Sequence, residues 1–159
     1  MERSVITRKS PPAKNGQAFD FSAVYKAMPA DRIAFIKNGV SARKAKLLFT
    51  RFQLDQKVML DALGLKTATV NRKAVNDESL STNEGERVIG LVKLVGQVQT
   101  MVEESGDPEG FDAIEWLSWW LRNPLPAYGG AMPIDYLETM EGQAVISRTL
   151  AQMQSGVFV

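Results

Sequence analysis

The sequence predicts an all-α protein in which an N-terminal helix-turn-helix unit is joined by one long central helix to a small C-terminal helical unit. Three observations point there. Apolar residues recur at three- and four-residue spacing in segment after segment of the chain. The run L-G-L-K-T, Leu63 to Thr67, places a glycine at a sharp turn between two such apolar segments. Ser81-Thr-Asn-Glu84 opens the longest apolar stripe with the side-chain pattern of a capping box.

Composition narrows the chemistry. The 159 residues include no Cys and no His, which excludes disulfides, thiolate zinc sites, Cys–His nucleophiles and the Ser–His–Asp triad. The expectation is a protein that is not an enzyme and carries neither cofactor nor metal. A hydrophobic content of 45% suits a globular chain. Its apolar runs are too short to span a bilayer, so no membrane is expected among its partners. The opening stretch lacks the apolar core of a signal peptide, which predicts a cytoplasmic location. A net charge of +1 conceals a division. Between Val40 and Val75, Arg43, Lys44, Lys46, Arg51, Lys57, Lys66, Arg72 and Lys73 face only Asp55 and Asp61. From Glu103 onward, Glu103, Glu104, Asp107, Glu109, Asp112, Glu115, Asp135, Glu138 and Glu141 face only Arg122 and Arg148. A basic middle suits phosphates and an acidic end suits a basic protein.

Taken in order, residues 1–20 are polar, basic and aperiodic, and read as a disordered arm. Phe21 to Met28 reads as a short helix with Ser22 as its cap and Pro29 as its stop. Asp31 then caps Arg32–Lys37, closed by Asn38-Gly39. Ser41 opens Ala42 to Phe52, with Ala45, Leu48, Phe49 and Phe52 on one face. Asp55 caps a helix through Leu63. Gly64 makes the turn, Lys66-Thr67 leads out of it, and a second helix starts near Ala68. Met59, Leu63, Leu65 and Val70 would form the small core of this pair, and Leu60 stands where the motif usually carries a small residue. Lys66, Thr67, Thr69, Asn71, Arg72 and Lys73 are the candidate DNA contacts, being types that reach phosphates and base edges. An ordinary helical hairpin with a solvated basic face satisfies the same pattern.

The capping-box helix should run to about Glu104. Val88, Leu91, Val92, Val95, Val98 and Val102 line its stripe, and Gly90 and Gly96 allow a neighbour to come close. These positions divide the chain into residues 21–104 and 105–159. In the second part Asp112 caps a helix carrying Ile114, Leu117 and Leu121, beside which Trp116 and Trp120 read as core while Trp119 stays open between core and interface. Asn123-Pro124 stops it. A Pro- and Gly-rich loop follows, with Pro133 starting a short helix, Ile134–Leu137. Beyond Glu141-Gly142 the last helix places Ile146, Leu150, Met153 and Val157 on one stripe, and Gly156 ends it. The apolar tripeptide Val157-Phe158-Val159 is either folded back on its own unit or offered to a partner.

The run W-L…N-P-x-x-x-x-G-G-x-x-P-x-D-x-L-x-T-x-E-G…V…L…Q-x-G-V-F, from Trp120 to Phe158, resembles the C-terminal toxin-binding domain of the MbcA/ParS/Xre antitoxin family. The stretch L-G-L-K-T-A-T-V-N-R-K and the S-L-S-T-N-E-G-E-R-V helix entry are similar to the Xre-type helix-turn-helix portion of that family. The likeness covers roughly residues 30–159, and Trp119-Trp120 departs from the family's usual pattern. The resemblance implies the antitoxin of a type II toxin–antitoxin pair, with an Xre-like DNA-binding domain and a toxin-binding domain. It implies as partners a RES-domain toxin that consumes NAD⁺ and the operator DNA of its own operon; a homodimer inside a larger toxin–antitoxin complex is expected because helix-turn-helix proteins usually read paired half-sites. It makes Arg148, Gln152, Gly156, Val157, Phe158 and Val159 the candidate toxin contacts. The alternative is a stand-alone repressor whose C-terminal unit serves self-association.

Overall fold

The computed structural model describes residues 19–156, so the reading of the N-terminal arm falls almost wholly outside the described residues, and that of Val157, Phe158 and Val159 entirely so. The described residues are all-helical. In order come α1 (Phe21–Lys26), α2 (Pro29–Asn38), α3 (Ala42–Arg51), α4 (Gln56–Ala62), α5 (Thr67–Val75), α6 (Thr82–Ser105), α7 (Ala113–Trp120) and α8 (Met140–Gln154). Two 3₁₀ turns, Pro126–Tyr128 and Pro133–Tyr136, lie between α7 and α8.

Local capping explains most boundaries. Ser41 accepts from the Lys44 amide at the head of α3, and Asp55 accepts from Lys57 at the head of α4. Ser81 and Glu84 form the reciprocal capping box of α6, which ends at Gly106 in the left-handed region. Asp112 Oδ1 accepts from both Ile114 and Glu115 at the head of α7.

Four boundaries differ from the sequence reading. Asp20, not Ser22, caps α1, because an N-cap must stand outside the helix and accept from an amide three residues on. Pro29 opens α2 instead of closing α1, since its missing N–H falls where no intrahelical bond is made; Asp31 thereby lies in the first turn rather than at the cap. Thr139 caps α8, which begins at Met140, before Gly142. The Ile134–Leu137 segment is a 3₁₀ turn that starts at Pro133.

Helix α6 is the strut. Val88, Ile89, Leu91, Val92, Leu94, Val95 and Val98 are all buried, whereas Val102 is only half-buried. Around α6 the buried side chains form one continuous cluster, from Phe19 and Phe49 through Met59 and Val70 to Leu117, Ile146 and Leu150. The core therefore passes across the 104/105 boundary. Helices α1, α2, α7 and α8 all pack on α6. Two of the glycines of α6 serve that packing: a Cβ at Gly96 would overlap the Phe21 carbonyl, and one at Gly90 would overlap the Gln143 carboxamide.

Candidate interaction surfaces

The first surface is the α4–α5 pair. Leu63 ends α4, and Gly64 follows with φ of 69°. The Leu65 amide donates to Leu60 O at 2.8 Å and the Gly64 amide to Asp61 O at 2.9 Å. This pairing satisfies the last carbonyls of α4 and sets the direction of α5. Met59, Leu60, Leu63, Leu65 and Val70 are fully buried, so Leu60 joins the core in spite of its size.

Long-range contacts hold α5. The Arg43 guanidinium donates twice to the Ala74 carbonyl at the C-terminal end of α5, at 3.1 and 3.3 Å, and lies 3.7 Å from Asp77. A short backbone pairing, in which Leu80 N donates to Val40 O and Ala42 N to Glu78 O, ties the start of α3 to the exit from α5. Lys73 reaches Glu84 at 3.3 Å, with both side chains largely covered. Burial opposes the Glu84 charge, but the amide and hydroxyl of Ser81 together with Lys73 hold its carboxyl below the ordinary glutamate range.

The predicted DNA contacts thus divide. Lys66 and Arg72 are exposed, Thr67, Thr69 and Asn71 are half-covered, and Lys73 is turned toward α6. Arg72 meets Glu78 at 3.6 Å in an open setting. Several other basic residues are engaged within the fold: Arg51 sits over the Phe21 ring, Lys44 near the Phe19 ring, and Lys57 pairs with Asp61.

The second surface is the acidic end. Its Pro- and Gly-rich loop is internally tied. Leu125 N donates to Ala131 O and Gly130 N donates to Leu125 O across the turn, Ile134 N donates to Leu121 O at 2.9 Å, and Gly129 and Gly130 both take positive φ. The Tyr128 hydroxyl is 2.8 Å from Thr149 Oγ1 on α8, and its ring lies 4.5 Å from that of Tyr136. Burial, with Tyr136 beside it, raises the Tyr128 pKa above the usual phenol value.

Helix α8 is seated by a reciprocal pair in which Gln97 donates to Ser147 O at 2.9 Å and Ser147 Oγ donates to Gln97 Oε1 at 2.8 Å. Gln143 Nε2 also bridges to the carbonyls of Arg87 and Leu137. Ile146 and Leu150 are buried, while Arg148 and Gln152, four residues apart, share the open face. Gly156 follows α8 with φ of 84°.

Sequence reasoning missed Lys93, which borders a cleft of about 270 Å³ together with Arg148 and Met140. Burial, and then the charge of Arg32, lower its pKa. A single lysine inside V-I-G-L-V-K-L-V-G was the available signal. The tryptophans separate by depth: Trp120 is buried, Trp116 partly covered, and Trp119 is 56% exposed. Among the described residues there is no cluster of three or more acidic, Cys or His side chains that could hold a metal ion, and no helix long and apolar enough to cross a membrane.

Two family descriptions match these two surfaces. The antitoxin Xre-like helix-turn-helix domain matches residues 31–93, and the antitoxin Xre/MbcA/ParS C-terminal toxin-binding domain matches residues 109–156. Over 145 residues, 91% of this chain and 91% of the relative, the sequence is 61% identical to the Prs ADP-ribosylating antitoxin of Sphingobium sp. (strain YBL2).

Proposed function

Since this chain belongs to the Xre/MbcA/ParS antitoxin family and binds a cognate toxin without being an enzyme itself, we propose that the toxin is a RES-domain enzyme consuming NAD⁺. In this reading α8 and the segment after it close the toxin's active-site entrance. The name of the Sphingobium relative refers to ADP-ribosylation, and ADP-ribosyl transfer uses NAD⁺ as donor, which supports this class of toxin.

The observation that carries the steric reading is the presentation of α8. One side of the helix is anchored through Gln97, Gln143, Ile146 and Leu150, so Arg148 and Gln152 stand on a face that packing does not use. A helix held in place before binding loses little entropy on association, which favours a tight complex. Gly156, Val157, Phe158 and Val159 continue from that helix and would enter the cleft, filling the volume that NAD⁺ needs. Arg148 would pair with an acid at its mouth.

Deleting Gly156–Val159 is expected to abolish rescue of cells that co-express the toxin while leaving promoter binding intact. Full rescue by the truncated chain would remove the plug. Autorepression is the second part of the proposal. Helix α5 would enter the major groove of operator DNA, with Lys66 and Arg72 on phosphates and Thr67, Thr69 and Asn71 nearer the base edges. Lys73 would act through its pairing with Glu84, by holding α5 in place. A homodimer reading paired half-sites suits this geometry. The reactions and partners invoked are those of the cytoplasm.

A further inference from the structure

The tryptophans of α7 build a second concave surface that the steric plug does not use. Trp116 stacks on buried Trp120, with centroids 5.8 Å apart and planes 12° from parallel. Trp119 leans against Trp116 at 6.2 Å and 57°, so the two indoles form the walls of an open corner. That corner belongs to a cleft of about 410 Å³ completed by Phe111, Asp112, Glu115 and Gln53. A tryptophan more than half exposed, at 56%, on a helix otherwise anchored by its other face, is a large apolar surface left without an intramolecular use.

The polar groups of the cleft are of one sign. Its two ionisable side chains are carboxylates, and no Lys or Arg lines it. Each carboxylate is only half used. Asp112 accepts both amides of the α7 cap through Oδ1, leaving Oδ2 without a hydrogen-bond partner among the described residues. Glu115 accepts from Gln53 Nε2 through Oε2 at 3.2 Å, leaving Oε1 likewise. Two indole walls beside two open carboxylate oxygens match a guanidinium. Such a group stacks on aromatic faces and donates in a planar fork, whereas an ammonium is a more strongly hydrated point charge.

We propose that the Trp116–Trp119 corner, with Asp112 and Glu115, is a docking site for an arginine side chain of the cognate toxin. It would anchor the complex at a place separate from the α8 face. The proposal rests on the toxin reading above and adds a contact to it. Charge complementarity selects the occupant: the acidic cleft repels nucleic acid and an acidic patch alike. Its exposed aromatic has the character of the anchors that dominate protein interfaces.

The test is a titration, at fixed salt, of a catalytically inactive RES-domain partner with the full-length wild-type chain and with Trp119→Ala, Trp119→Phe and Glu115→Gln. Trp119→Ala should weaken binding about 30-fold or more, as loss of a central aromatic anchor does. Trp119→Phe should fall between it and wild type. Glu115→Gln should weaken binding several-fold and flatten its salt dependence. Because Trp119 is exposed and the Gln53–Glu115 bond lies at the surface, all variants should melt close to wild type. Equal toxin affinity for wild type and Trp119→Ala overturns this inference alone, whereas no binding by wild type overturns the RES-toxin reading with it. If Trp119→Ala instead weakens only self-association, or if deleting residues 1–18 shifts the tryptophan emission to the red in the wild-type chain but not in Trp119→Phe, the cleft serves a second copy or the chain's own basic N-terminal segment, and the toxin assignment fails.

Discussion

Glu84 does two jobs at once. Its carboxylate returns to the Ser81 amide at 3.0 Å as half of the capping box of α6, and it also receives Lys73 from α5. A carboxyl held below its ordinary value in the fold contributes stability that is fully present above the unfolded-state value and is lost as pH falls through the depressed folded one. Glu84→Gln should therefore lower unfolding free energy by roughly 1–2 kcal/mol near neutral pH. In denaturant titrations the difference from wild type should shrink steadily as the pH drops below the usual glutamate range. A constant difference across that range would show that the charge plays no part. The capping role was legible in Ser81-Thr-Asn-Glu84, because it is local. The ion pair was not, since Lys73 looked like one of several exposed basic residues until the packing of α5 against α6 covered it.

At the level of elements, α5 is held at its C-terminal end by Arg43 of α3, a group distant in sequence, and is set in direction at its start by the neighbouring Gly64 turn. The pair with Glu78 would not withdraw Arg72 from the proposed DNA contact. Both side chains are about half exposed, and such open pairs are worth little, so a phosphate can replace the carboxylate. Lys66→Ala and Arg72→Ala should each weaken operator binding by a similar factor on any sequence and reduce the slope of log affinity against log salt by about one. Lys46→Ala, on α3, is the comparison. Unchanged slopes in the first two variants would take α5 off the DNA. The helix pair itself was readable from L-G-L-K-T and the spacing of Met59, Leu63, Leu65 and Val70. The division of its basic residues into outward and inward sets was not. Charge type is written in the sequence, but the partner of a charge such as Arg43 or Lys73 depends on how separate helices pack.

For the whole molecule, one core serves both surfaces. Helix α1 lies across α6 so closely that a methyl group at Gly96 would meet the Phe21 backbone, which side-chain rotation cannot relieve. Gly96→Ala should cost about 1–3 kcal/mol and lower the melting temperature in a single transition. Toxin binding and DNA binding should decline together as the folded fraction falls. Two separate transitions would mean that the units on either side of the 104/105 boundary fold independently. The sequence alone determined what neighbouring residues decide: helical class, the caps at Ser41, Asp55, Ser81 and Asp112, the turn at Gly64, the strut and the family. Capping and periodicity act within a few residues, so they survive in the linear pattern. Tertiary structure decided what depends on distance: that Gly96 admits α1, that Lys73 faces Glu84, and that Trp119, which the sequence left between core and interface, stands in the open. These are matters of which surfaces meet, and contact between remote segments leaves no period in the sequence.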